Sequence, residues 1–101
     1  MTIHAKTEAE LSAAVAQGNA LVDFWATWCG PCQMMGDKIV HEIEPTMPDL
    51  KIVKVNVDEA PELAASFGIM SIPALFCFRG GKKVAEFVGV TDCREIAAAF
   101  A

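Results

Sequence analysis

Two cysteines three residues apart, Cys29 and Cys32, are where this sequence most plainly carries chemistry. They enclose Gly30-Pro31, and a proline at that place suits the first turn of a helix, so the pair stands where a helix begins. Cysteines at i and i+3 in that setting approach closely enough to form a disulfide. The first lies beside unpaired backbone N–H groups and the positive end of the helix dipole. That environment favours a thiolate and lowers a thiol pKa from its free value of about 8.5. The thiolate is the attacking species in thiol–disulfide exchange, and a second thiol resolves the mixed disulfide. Cys29 is therefore expected to be the nucleophile and Cys32 the resolving thiol.

Two other uses of the pair are open to test. A static bridge closing about four residues would stabilise by only ~2 kcal/mol, against ~3 kcal/mol for a fifteen-residue loop. Half of a zinc site would need two further ligands, but Cys77 and Cys93 form no second close pair and His4 and His41 lack ligand spacing, so no metal is expected. Cys77, between Phe76 and Phe78, reads as an inert core thiol. Cys93 follows Asp92, a helix-cap residue, and reads as an exposed residue at a helix start; both histidines read as surface residues.

The elements that position the dithiol follow from pattern. Thr7-Glu8-Ala9-Glu10 has capping-box form, Leu11, Ala14 and Val15 recur at helical spacing, and Gly18-Asn19 ends that helix. Ala20 to Trp25 is apolar but for Asp23, as in a strand covered on both faces. The helix opened by the dithiol shows Met35, Ile39 and Ile43 on one face and closes at Pro45 and Pro48. Ile52 to Val57 is a β-branched strand, and Pro61 to Phe67 a short helix stopped by Gly68. Ala74–Arg79 and Lys82–Val88 flank the turn Gly80-Gly81, and a last helix after Asp92 carries Ile96 and Phe100. With a short first strand around Ile3, the order is β-α-β-α-β-α-β-β-α. This predicts an α/β fold with a central mixed sheet, helices on both faces, parallel pairing wherever a helix intervenes, and an antiparallel terminal hairpin.

Composition bounds the rest. A chain of 101 residues is the size of one domain, and 53 % apolar residues supply a core. Eight basic against thirteen acidic residues give a net charge of −5 with no basic block, which argues against nucleic-acid and membrane-surface partners. The start Met1-Thr2-Ile3-His4-Ala5-Lys6 lacks the apolar stretch of a secretory signal, so a soluble, cytoplasmic protein is expected.

Trp28-Cys29-Gly30-Pro31-Cys32, preceded by Val22-Asp23-Phe24-Trp25-Ala26 and followed by Ile72-Pro73 and Gly89, resembles the thioredoxin family in order and spacing over nearly the whole chain. A lowered thiol pKa at such a motif is a known property of that family rather than a deduction from these residues. The resemblance implies one thioredoxin domain over residues 1–101, the corresponding fold, and a dithiol oxidoreductase that reduces protein disulfides and donates electrons to reductive enzymes in cell redox homeostasis. It implies that Asp23 is a buried acid accepting the Cys32 proton, with Lys54 beside it, and that Gly30 and Pro31 tune the couple towards a reductant. It further implies that Pro73 is cis, which sequence alone does not reveal because only about 5–6 % of X–Pro bonds are. Trp28, Ile72, Pro73, Gly89 and Val90 would then form an apolar docking patch around Cys29. No bound cofactor is implied; reducing equivalents would come from a thioredoxin reductase drawing on NADPH, and the protein would act as a monomer on disulfide-containing proteins. An oxidase or isomerase using the same residues, or a binding subunit with an idle dithiol, are the alternatives; a redox titration against glutathione and an insulin-reduction assay separate them. The sequence departs from the family pattern in having Asp37 where a kinking proline is usual and Gln33 where a basic residue is common.

Overall fold

In the computed structural model, which describes residues 2–101, five strands form one sheet in the order β1-β3-β2-β4-β5. The strands are β1 (Thr2–His4), β2 (Asn19–Trp25), β3 (Lys51–Asn56), β4 (Ala74–Arg79) and β5 (Lys82–Val88). Between and after them run α1 (Glu8–Val15), α2 (Gly30–Lys38), α3 (Pro61–Ser66) and α4 (Cys93–Ala99). The capping box forms: Thr7 Oγ1 accepts from the Glu10 N–H at 3.1 Å while Glu10 Oε1 accepts from the Thr7 N–H at 3.1 Å. The hairpin turn is made by Gly80 and Gly81 at φ of +58° and +84°, a conformation two side-chain-bearing residues would resist.

Parallel pairing holds for β1 with β3 and for β3 with β2. It fails after α3. Although a helix separates β3 from β4, β4 runs antiparallel to β2, so the antiparallel step lies inside the sheet and not only at its terminal hairpin. The six-residue α3 is too short to carry the chain back along the sheet, so β4 starts at the end where β3 finished. That end is also the carboxyl end of β2, where the dithiol lies.

Strand alternation divides the core. Ala20, Val22 and Phe24 of β2 pack on one side with Leu11, Val15 and Leu63 from α1 and α3, and Phe24, Phe67 and Phe76 form a triangle with ring centroids 5.4–5.5 Å apart. Leu21 packs on the other side with Met35, Ile39, Ile43, Ile96 and Phe100. Asp23, two residues on from Leu21, therefore points beneath α2.

After Lys38 the helix does not stop but widens into a π-helical turn, Ile39–Ile43, in which the Glu44 N–H reaches Ile39 O at 2.9 Å. Each step of four drifts by about 40° around an ordinary α-helix, and the widened turn offsets that drift between Ile39 and Ile43, which are buried with Met35. The place of the usual proline is thus taken by Asp37 within the helix, followed by this turn.

Candidate active site

Cys29 is the N-cap of α2, and its sulfur does what a serine oxygen does in other helices: Sγ accepts the Cys32 backbone N–H at 3.2 Å. Cys29 and Cys32 are joined in a disulfide, with Cα atoms 5.2 Å apart. Both are largely buried in this oxidised state, and Cys29 is the less so, at 6 % exposed. Gly30 and Pro31 between them are exposed. Trp28, 70 % exposed, is held at the rim by its indole N–H, which donates to Asp58 Oδ2 at 2.8 Å. Asp58, thirty residues away, carried no signal in the sequence, because a lone acid at a strand end has no spacing to announce a partner.

The loop before β4 meets this rim. The Ile72–Pro73 peptide is cis, and Ile72 O lies 3.9 Å from Cys29 Sγ. Pro73 O accepts from the Gly89 N–H at 2.8 Å, which brings in the segment after β5. Gly89 has φ of +87°, and Val90 beside it is 42 % exposed. Trp28, Gly30, Pro31, Ile72, Pro73, Gly89 and Val90 are thereby gathered from three separate stretches of chain.

Below the dithiol helix, Asp23 is 1 % exposed, and neither carboxylate oxygen has a hydrogen-bond partner among the described residues. Burial pushes its pKa up to about 6, with the Lys54 charge pulling the other way. Strand register sets that opposition: Lys54 of β3 pairs with Asp23 of β2, and its Nζ stands 3.9 Å from Asp23 Oδ2 and 4.6 Å from the Trp25 ring centroid. A cavity of about 30 Å³, large enough for one water molecule, adjoins Asp23 and Lys54 and is lined also by Gly36, Val40 and Glu44.

The remaining cysteines lie outside this constellation. Cys77 is buried in the sheet, where desolvation pushes its pKa up to about 11. Cys93 corrects the sequence reading: it is not exposed but 7 % accessible, packed with Leu21 and Ile96, its Sγ 3.8 Å from Lys38 O. Its place as the first residue of α4, after the cap Asp92, turns the side chain inward against α2, and burial, aided by the Glu42 charge, raises its pKa. With the dithiol reduced and first blocked under conditions that spare other thiols, the native protein is expected to take up no further alkyl group, and two more on denaturation. Mass spectrometry checks this, and rapid native labelling of Cys93 would contradict it.

A thioredoxin family model matches residues 2–101. The thioredoxin of Alicyclobacillus acidocaldarius is 42 % identical over 97 residues, spanning 94 % of this chain and 91 % of that one. That of Bacillus subtilis is 44 % identical over 90 residues, 88 % of this chain and 86 % of its own. The chain belongs to the thioredoxin family. Among solved structures, a single-substitution mutant of the thioredoxin from Halobacterium salinarum superposes with a TM-score of 0.85 at 31 % identity, covering 98 % of this chain and 87 % of that one. Family membership and the bridged Cys29–Cys32 pair together make this thioredoxin-family chain a dithiol–disulfide oxidoreductase with protein-disulfide reductase activity. No helix among the described residues is long and apolar enough to cross a membrane.

Proposed function

We propose that the reduced protein acts by attack of the Cys29 thiolate on a substrate disulfide. One substrate sulfur leaves as a thiol and the other forms a mixed disulfide with Cys29. The Cys32 thiol then gives up its proton to Asp23, and the resulting thiolate displaces the second substrate sulfur, which takes that proton back as it leaves as a thiol. The substrate gains two electrons and two protons, one from Cys32 and one from solvent because Cys29 attacks already ionised, and the Cys29–Cys32 bridge closes. The observation that carries this reading is the cap: the Cys32 N–H aimed at Cys29 Sγ at 3.2 Å, at the positive end of α2, favours negative charge on that sulfur. Lys54, 3.9 Å from Asp23, keeps the buried acid from rising further, and Gly30 and Pro31 hold the turn that sets the couple towards reduction.

The rim, with Trp28, Gly30, Pro31 and Val90 exposed, Ile72 and Gly89 half-buried and the Pro73 side chain buried beneath them, suits an extended polypeptide better than a small ligand, since it is shallow and apolar and leaves backbone near Ile72 to pair with a peptide. In this reading the protein works as a cytoplasmic monomer in electron transport from a flavoprotein reductase drawing on NADPH to disulfide-bearing proteins, with no nucleic-acid partner. A Cys32→Ser variant tests it. The variant should accumulate substrates linked to residue 29, identifiable after isolation under denaturing, non-reducing conditions. Adducts on no cysteine, or on Cys93, would overturn the assignment.

A further inference from the structure

Met35 follows Cys32 by three residues and so lies one turn below it on the same face of α2. Its side chain is fully buried and, by pattern, indistinguishable from Ile39 and Ile43. Unlike either isoleucine, it offers an acceptor, and the backbone N–H of Thr91 donates to Met35 Sδ at 3.3 Å. Thr91 is buried at the end of the Gly89–Thr91 loop, and no carbonyl among the described residues accepts that N–H. An aliphatic side chain of equal volume would leave it buried and unpaired. The loop is otherwise held by the Gly89 N–H to Pro73 O at 2.8 Å and by the Thr91 hydroxyl to Gly89 O at 3.0 Å. Of these three bonds, only the one to the thioether reaches the helix that carries the dithiol.

We propose that Met35 is a positioning residue for polypeptide substrates, its thioether fixing the Gly89–Thr91 loop to the Cys32-bearing helix so that Val90 is presented beside the dithiol. The proposal rests on the docking role given above to Gly89 and Val90. It predicts a split between substrates: a protein disulfide that lies along the patch feels the loop, whereas a small aryl disulfide that meets only the sulfurs does not.

The test is Met35→Leu, which keeps volume and apolarity but removes the acceptor. Amide exchange of Thr91 should quicken by roughly tenfold, and KM for insulin disulfides should rise by about fivefold with kcat little changed, the scale of one lost hydrogen bond. Rates with the aryl disulfide should stay at wild-type values, and selenomethionine-substituted protein, which retains a chalcogen acceptor, should keep the wild-type KM. Should the leucine variant fold poorly, Met35→Ile, likewise without an acceptor, serves in its place. Unaltered Thr91 exchange, an unaltered KM for insulin, or equal slowing with both disulfides would each overturn the proposal. A wild-type protein with no preference for insulin over the aryl disulfide would instead remove the docking patch, and this role with it.

Discussion

Replacing Asp23 by alanine should raise stability at pH 7 by as much as about 3 kcal/mol while slowing turnover. The stability change follows from linkage. An unfolded aspartate titrates near 3.8 and the native one at about 6, so between those values the native state holds a proton that the unfolded state has lost. The stability that the protonated carboxyl allows is fully present below pH 3.8 and is lost as the pH rises through 6. The difference of two pKa units and a little more corresponds to about 3 kcal/mol. Urea unfolding of both proteins at pH 7 and pH 3.5 checks this: the advantage of the alanine variant should be large at the first and shrink towards zero at the second. An advantage independent of pH would show that the carboxylate charge is not its source.

The kinetic half of the same variant has a calculable scale. A free thiol of pKa about 8.5 is about 3 % thiolate at pH 7, and burial of Cys32 disfavours the thiolate further, so a base that delivers Cys32 fully ionised gains about thirtyfold or more. Insulin reduction by Asp23→Ala should therefore fall by at least about tenfold at pH 7 and recover as the pH rises. The loss should lie in resolution of the mixed disulfide, not in the attack of Cys29. A variant more stable than wild type yet equally fast from pH 7 upward would dissociate the buried acid from the proton transfer.

Cys29→Ser is expected to abolish turnover while leaving the fold in place. Serine is a good N-cap, so its Oγ inherits the Cys32 N–H and α2 keeps its first turn. What it lacks is a nucleophile that ionises near neutrality, so insulin reduction should fall to the uncatalysed background. The variant also cannot close the bridge. Loop-closure entropy for so short a ring puts its melting stability about 2 kcal/mol below that of the oxidised wild type and close to that of the reduced one. Urea titrations of the three forms separate these effects. Substantial turnover by the serine variant would move the attack to another sulfur.

Much of the site was legible without coordinates because it is local. A cap, a proline in a first turn and two thiols three apart are settled by a few consecutive residues, and so was the capping box at Thr7. An acid in an otherwise apolar strand signalled Asp23 because burial of a charge is anomalous whatever surrounds it. Where the reading failed, the deciding contact was remote. Cys93 has the sequence context of an exposed cap neighbour, but the face of α4 that packs under α2 turns it inward. Met35 looked like one more core residue, since periodicity records burial and not what a sulfur accepts.

By itself, then, the sequence determined the order of elements, the buried acid and the dithiol at a helix start, because each depends on neighbours within a turn or two of chain. Tertiary structure decided the direction of β4, and with it the placing of Ile72 O 3.9 Å from Cys29 Sγ. It also decided the strand register that sets Lys54 against Asp23, and the bonds from Asp58 to Trp28 and from Thr91 to Met35. These pairings join residues thirty or more positions apart. Their geometry is fixed by how helices and strands pack against one sheet, a quantity that no local pattern of residue types contains.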